Sequence, residues 1–435
     1  MGTIYRYATC TIAATSAVNG AIGLFHDRKR VPMPPVQVEG LWQTCSPDDD
    51  DFDLSFPYAG SFLFGRPTDS RRDIDASPLN KRAWVFQERY LSPRILHFTD
   101  EVVYWECEEL FANEMYPSGI PTYAQGSKDR DMRHLKSLSH QRLAGTFARA
   151  LVSRNTGKTQ PKTRDDDLYA AWKSLRRAYT ACDLTFETDI FVAFLGVLQE
   201  VAKCYLGDAM MIESRQVPIE ESFPAGLWSQ RIHEELCWSH PHQQSSTTSC
   251  RPSHWRAPTW SWASTLHEII PTAREEHKPG MRDVIQTSAE VIDIGVQCNR
   301  SGELTSAVLC LKCRLIPALL RVCDWNSSLF NAEMDFHGET PLTDGSRAVV
   351  VMDDPMPDEV RDNGRDVLAV VIFYCRNNTR ISWAEGLVLE RSSTQANAYE
   401  RLGRFHARDQ NGKGFGLQRL WPRHEQTDTK VIKII

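Results

Sequence analysis

From Arg251 onward the sequence breaks into short alternating apolar segments, and this pattern constrains the fold more than any other feature. Successive strand side chains point to opposite faces, so such segments bury one face only by pairing into a sheet. Strands are predicted over 259–264, 289–297, 307–315, 348–352, 367–373, 386–389 and 431–435, which makes 251–435 a β-rich domain.

The preceding stretch, 166–250, reads as helical. Leu168, Trp172, Leu175 and Tyr179 recur at helical spacing behind acidic residues 165–167. Thr188-Asp189 opens a second predicted helix over 190–205, and a third carries Trp228, Ile232 and Leu236. A polar linker or loop, 117–165, separates this region from 1–116. There, residues 4–8 close a helix and 9–14 are β-prone; Asn80 is the predicted cap of a helix carrying Trp84, Glu88 and Leu91 that Pro93 ends. Strands 94–98 and 102–107 form a hairpin across Thr99-Asp100-Glu101, and the Pro-rich or acidic segments 26–37 and 43–60 read as surface loops. The chain is therefore a mixed α+β protein.

Composition narrows the function. The 435 residues are 41% hydrophobic and 24% charged, which suits two or three domains with real cores. A net charge of -6 supplies no cationic field for nucleic acid or anionic lipid. The best apolar stretch, Ile190 to Leu198, stops at Gln199 and Glu200, short of the roughly 20 residues of a membrane span. Tyr7 to Leu24 is uncharged, but its Thr, Ser and Asn make a poor secretion signal, and Arg6 occupies the Ser/Thr position of a myristoylation start. Twelve scattered Cys read as reduced thiols, which places the chain in the cytoplasm. Twelve Trp and eighteen Phe point to aromatic-rich packing interfaces.

Metal and cofactor signals are thin. Cys310-Leu-Lys-Cys313 is a lone pair whose members face opposite ways on a strand, and Cys323 does not complete it. Cys237, His240, His242, Cys250 and His254 are ligand types in an order that matches no standard zinc site, within a stretch that reads as a loop. His233-Glu234 and His267-Glu268 do not continue as H-E-x-x-H, and no phosphate-cradling glycine loop or nucleophile elbow is present. No metal and no cofactor is expected.

Residues 78–109, PLNKRAWVFQERYLSPRILHFTDEVVYWECEE, resemble the Arg-Ala-Trp-x-x-Gln-Glu segment and following hairpin near the end of fungal heterokaryon-incompatibility (HET) domains. The opening IYRYATCTIAATSA with Gly23-Leu24-Phe25 is similar to the family's preceding helix-to-strand segment. Ala225 to Trp228, Arg256 to Ser264, Gly386 to Leu389 and Tyr399 to Phe405 are similar to landmarks that follow HET domains. The family's earlier Ser-Tyr-Cys-Trp-Gly-like and Trp-Ile-Asp-x-x-Cys-Ile-like strands have no counterpart here. The expectation is a chain that begins within the HET domain and is not self-sufficient for killing. The resemblance implies non-self recognition and programmed cell death signalling through protein partners, with this chain an interaction or regulatory module. HET domains also bear a distant likeness to TIR domains, some of which cleave NAD, and this implies the alternative of an enzyme whose site is incomplete here.

Within the matched motif, Arg82, Ala83, Trp84, Gln87, Glu88 and Arg89 are the site residues, and Glu88 is the catalytic candidate. Read physically, Arg82, Gln87, Glu88 and Arg89 lie close together, so a carboxylate between two guanidiniums has a lowered pKa and stays ionised. An ion-pair network beside a buried Trp84 is the simpler reading, with catalysis the alternative. Trp260 and Trp262 alternate on one predicted strand face, where core packing is favoured over a ligand-stacking platform, and Gly226-Leu227-Trp228 reads the same way.

Overall fold

The computed structural model describes residues 2–28, 33–42, 58–65, 70–121, 164–206, 219–241, 249–270, 283–299, 303–322, 331–336, 347–355, 364–377, 380–408 and 429–435. The chain divides into two compact units, Met1–Asp167 and Leu168–Ile435.

In the first unit α1 (Gly2–Tyr7) leads into β1 (Thr11–Ala13), as the sequence predicts. β2 (Val36–Trp42) and β3 (Tyr58–Phe64) pair antiparallel, so the ends of both predicted loops are strand. Residues 43–57 lie outside the described residues. A π-helical turn (Arg71–Asp75) precedes α2 (Ala83–Leu91), then β4 (Arg94–Phe98), β5 (Val103–Cys107) and β6 (Phe111–Asn113). The β4–β5 hairpin is the predicted one. The sheet runs β1-β4-β5-β6. β1 and β4 are parallel because α2 lies in the connection between them, whereas short turns make β4–β5 and β5–β6 antiparallel. Ile74, Val102, Tyr104, Met115, Tyr116 and Ile120 form the core.

The second unit begins within α3 (Arg164–Thr180), which buries Leu168, Trp172, Leu175 and Tyr179, the predicted stripe. α4 (Leu195–Leu206) starts later than predicted, after a 3-10 turn at Glu187–Ile190. Phe191 and Phe194, both against Trp262, occupy the intervening turn, where Phe194 N donates to Phe191 O. α5 (Ile219–Ser222) and α6 (Ile232–Glu235) are single turns. The predicted third helix is thus broken: Trp228 is extended and Ser229–Arg231 is a 3-10 turn, although Trp228, Ile232 and Leu236 are all buried. Among the described residues no helix is long and apolar enough to cross a membrane.

The β-rich region holds β7 (Asp283–Thr287), β8 (Glu290–Cys298), β9 (Leu304–Cys313), β10 (Ile316–Val322), β11 (Asn331–Phe336), β12 (Arg347–Met352), β13 (Arg365–Asn377), β14 (Arg380–Arg391), β15 (Ala398–Arg408) and β16 (Lys430–Ile434). Six of these close on themselves in the order β12-β11-β10-β13-β14-β15, because β12 also pairs with β15 from Arg347↔Arg408 to Met352↔Gly403. Closure makes a barrel and leaves its strands no free edge. A six-stranded barrel is narrow, and Ala318, Ala332, Ala348, Ala369, Ala384 and Ala407 keep its interior small beside Met334, Val388 and Phe405. Gly386 is required by closeness: a Cβ there would lie 2.0 Å from Val370 O. β9 and β8 extend the sheet through β16, and β7 pairs with β13. The predicted strand at 259–264 is absent; Trp262–Ser264 is a 3-10 turn whose cap, Ser261 Oγ, accepts from Ala263 N.

Candidate functional site

The matched motif builds α2. Asn80 does not cap it: its side-chain amide donates to Ile74 O at 2.9 Å, and Arg82 takes the N-cap position without a side-chain bond. At the other end Ser92 Oγ donates to Glu88 O at 2.7 Å, and Pro93 follows. Ala83, Gln87 and Arg89 are buried, whereas Trp84 and Glu88 are half-buried and Arg82 is exposed. Trp84 and Glu88, four apart, share a face, so the expected buried Trp84 is corrected to one at the solvent boundary.

Glu88 and Arg89 are successive on a helix that turns about 100° per residue, so they face different surroundings. Arg89 enters the core and forks onto Glu106, with Nε to Oε2 at 2.8 Å and Nη2 to Oε1 at 3.0 Å, while Nη1 donates to Asp75 Oδ1 at 2.8 Å. The expected arrangement is therefore inverted: one guanidinium lies between two carboxylates. Burial alone would lower the Arg89 pKa, but Glu106 and Asp75 outweigh it and hold it above its ordinary range. Burial alone would raise Glu106, but Arg89 and His97 keep it well below.

Glu88 departs from expectation in the other direction. Burial pushes its carboxyl up, only partly countered by a hydrogen bond with Tyr5 of α1 and the charge of Arg82. Tyr5 in turn is pushed up to about 12 by burial and by Glu88.

The sequence reading missed the rest of the cluster. His97 Nε2 lies 2.9 Å from Glu106 Oε2, and its Nδ1 lies 3.1 Å from Thr15 Oγ1. The ionised carboxylate only accepts, so Nε2 carries the proton and Nδ1 accepts from the Thr15 hydroxyl. Burial lowers the His97 pKa despite Glu106, which keeps the ring neutral. Hydroxyl, imidazole and carboxylate in this order are the parts of a nucleophilic triad. However, Thr15 is 0%, His97 1% and Glu106 0% exposed, so no substrate reaches the hydroxyl. The chain Asp75–Arg89–Glu106–His97–Thr15 therefore ties α2, β5, β4 and the residues after β1 together. Strand phase was the usable signal: His97 shares the buried face of β4 with Ile95, and Glu106 that of β5 with Tyr104.

Outside this cluster the same segment leaves its apolar side chains in solvent. α1 buries no residue, and Tyr7 and Phe25 are 81% and 84% exposed. Ile4, Ile12 and Val18 are exposed as well. Among the described strands β1 pairs with β4 alone.

In the second unit the tryptophan landmarks hold one another. Trp262 Nε1 donates to Gly226 O and Ser261 Oγ to Ala225 O, both at 2.7 Å. Gly226 has φ +81°, and a Cβ on it would lie 2.9 Å from Trp262. The Ala-Gly-Leu-Trp and Trp-Ser-Trp-Ala landmarks are thus two halves of one contact, and Trp228, Trp260 and Trp262 are buried within the unit. Trp228 N also donates to Glu235, a buried carboxylate that accepts from Tyr169, Trp172 and Arg176.

Among the described residues no group of three or more His, Cys, Asp and Glu is placed to hold a metal. Cys237 and His240 are buried, so this part of the predicted loop is interior. His240 lies within hydrogen-bond reach of Glu268 O, Asp353 O and Thr265 Oγ1. Burial, aided by Asp354, pushes the Cys250 thiol up to about 12, and burial does the same to Cys313. His242 and Cys323 lie outside the described residues.

Comparison with curated proteins and with solved structures found no match. Residues 1–88 match the family described as Heterokaryon incompatibility protein (HET), a span that ends on Glu88 within α2. That segment, 88 of the 435 residues, is HET-like in sequence, as its motif implies.

Proposed function

We propose that the protein is an interaction and regulatory module in heterokaryon-incompatibility non-self recognition and the cell-death signalling that follows it, acting in the cytoplasm through protein partners. The observation that carries this reading is a division of labour within the first unit. Arg89, His97 and Glu106 are buried against one another, while Tyr7, Ile12 and Phe25 are exposed on the uncharged stretch that follows Arg6. Apolar side chains exposed along one short segment support a protein-facing role. Thiol cysteines support the cytoplasmic placement.

A second reading rests on Glu88. A half-buried carboxyl with a raised pKa and a phenol partner suits proton transfer, and an NAD-cleaving activity would use it. Expression of the chain in a host undergoing an incompatibility reaction separates the two. A variant with Ile4, Tyr7 and Phe25 changed to Ser is expected to abolish the chain's effect on the fraction of dying compartments, while Glu88→Gln preserves it. Loss with Glu88→Gln and retention with the triple variant would favour the enzyme.

A further inference from the structure

Arg256 knots three loops of the second unit together. Its guanidinium donates to Glu187 O at 2.8 Å, Ala263 O at 2.7 Å and Thr265 O at 2.7 Å. The Glu187 carboxylate accepts in turn from Ser253 N at 3.0 Å and Ser253 Oγ at 3.2 Å. A buried guanidinium spread over three main-chain carbonyls fixes the backbone of all three loops. Next to these fixed points stand large apolar side chains in solvent. Phe186, just before Glu187, is 67% exposed, Trp255, just before Arg256, 53%, and Leu266, just after Thr265, 39%. Trp255 contrasts with Trp172, Trp228, Trp238, Trp260, Trp262 and Trp383 of the same unit, which are buried. The charges around these loops are sorted. Arg251 donates to Ser264 O, Arg401 O and Asp353, and Arg177 is paired with Glu268 at 2.7 Å. The loop that carries Phe186 also carries exposed Asp183 and half-buried Glu187, and no Lys or Arg occurs from residue 181 to 195.

We propose that Phe186, Trp255 and Leu266 are a docking surface for a protein segment that brings an Arg or Lys side chain beside an apolar one. The occupant follows from charge complementarity. An indole face attracts a cation, the carboxylates of Asp183 and Glu187 add to that attraction, and an acidic segment meets like charge. Phe186 and Leu266 supply the apolar contact, and loops already fixed by Arg256 lose little freedom when a partner binds. This surface goes beyond the role proposed above: it lies in the second unit and stands or falls separately from Tyr7 and Phe25.

The test uses the full-length chain and three short dye-labelled peptides, alike in length and leucine content, whose remaining residues are Arg, Gln or Glu. Fluorescence anisotropy is expected to show the Arg peptide binding about tenfold more tightly than the Gln peptide, with the Glu peptide weakest. Trp255→Ala is expected to weaken the Arg peptide about tenfold at an unchanged melting temperature, and Phe186→Ser to weaken all three peptides. Asp183→Asn is expected to narrow the gap between the Arg and Gln peptides. The variant with Ile4, Tyr7 and Phe25 changed to Ser is expected to bind as the unmodified chain does, which separates failure of this surface from failure of the one in the HET segment. Equal binding of the three peptides would overturn the proposal, as would Arg-peptide binding that survives both Trp255→Ala and Phe186→Ser in folded protein. So would an Arg preference untouched by Asp183→Asn, or binding lost in the Ile4, Tyr7 and Phe25 variant.

Discussion

The barrel strand Arg365–Asn377 and the segment from Tyr7 to Leu24 are both rich in small and apolar residues, yet they meet solvent in opposite ways. In the barrel strand, Val367 and Ala369 to Cys375 are buried, and both edges are paired, with β10 and β14. In the segment, β1 has one partner among the described strands, and Tyr7, Ile12 and Val18 are exposed. β-forming sequence without charges is a hazard at an edge unless closed or covered. The barrel closes it by pairing β12 with β15; among the described residues the second edge of β1 has no strand beside it, and the buried ions tie β4 and β5 to α2. One region spends its apolar residues on stability, the other displays them.

The largest effect expected from breaking this contrast is at the buried ions. Arg89→Met leaves Glu106 buried beside a neutral His97, and removal of one partner of a buried pair costs about 3–5 kcal/mol. Urea denaturation should then show the first unit melting early with the barrel transition unchanged. A single unaltered transition would mean that the ions do not hold the segment.

The barrel is broken by volume instead. Gly386→Ala places a Cβ 2.0 Å from Val370 O and 2.8 Å from Phe405, and overpacking of this kind costs about 1–3 kcal/mol. Gly295→Ala in β8, where a Cβ meets nothing within 4 Å, is the control and should leave the melting temperature nearly unchanged.

Acid sharpens the comparison further. Glu106 is held low, so its contribution is present above the ordinary carboxylate range and is lost as pH falls through its folded pKa. His97 is also held low and stays neutral in the fold, so below about 6.5 the unfolded chain takes up the proton first and stability declines. Amide protection in β4 and β5, measured relative to the intrinsic exchange rate at each pH, should therefore fall between neutral pH and pH 5 more than in β13 and β14. An equal fall in both would show that the His97–Glu106 tie contributes little.

These particulars also show what the sequence reveals and what it hides. The β4–β5 hairpin is legible because a period of two and a short polar turn are local properties. The separation of Glu88 from Arg89 is legible in principle, since adjacent helix positions cannot share one neighbour, but the partners of Arg89 lie 14 and 17 residues away. Trp260-Ser261-Trp262-Ala263 alternates like a strand, yet its geometry is set by Gly226 across 36 residues, which no local pattern reports. β15 escapes a hydrophobic reading because Arg401 and Arg404 are buried there and neutralised by Asp353 and Glu385. Barrel closure is a pairing of β12 with β15, which lie some fifty residues apart, and leaves no mark on either strand alone.

The smallest effect is expected at Glu88, which decides the central claim that the HET segment offers a surface and not a reaction. Glu88→Gln keeps the shape beside Tyr5 and removes one partly screened charge, so stability should change by about 0–1 kcal/mol. The direct measurement is NAD turnover by the purified 435-residue protein and by this variant, with melting temperatures recorded alongside. The account predicts no NAD loss with either protein. NAD cleavage by the unmodified chain, abolished by Glu88→Gln at an unchanged melting temperature, would contradict it.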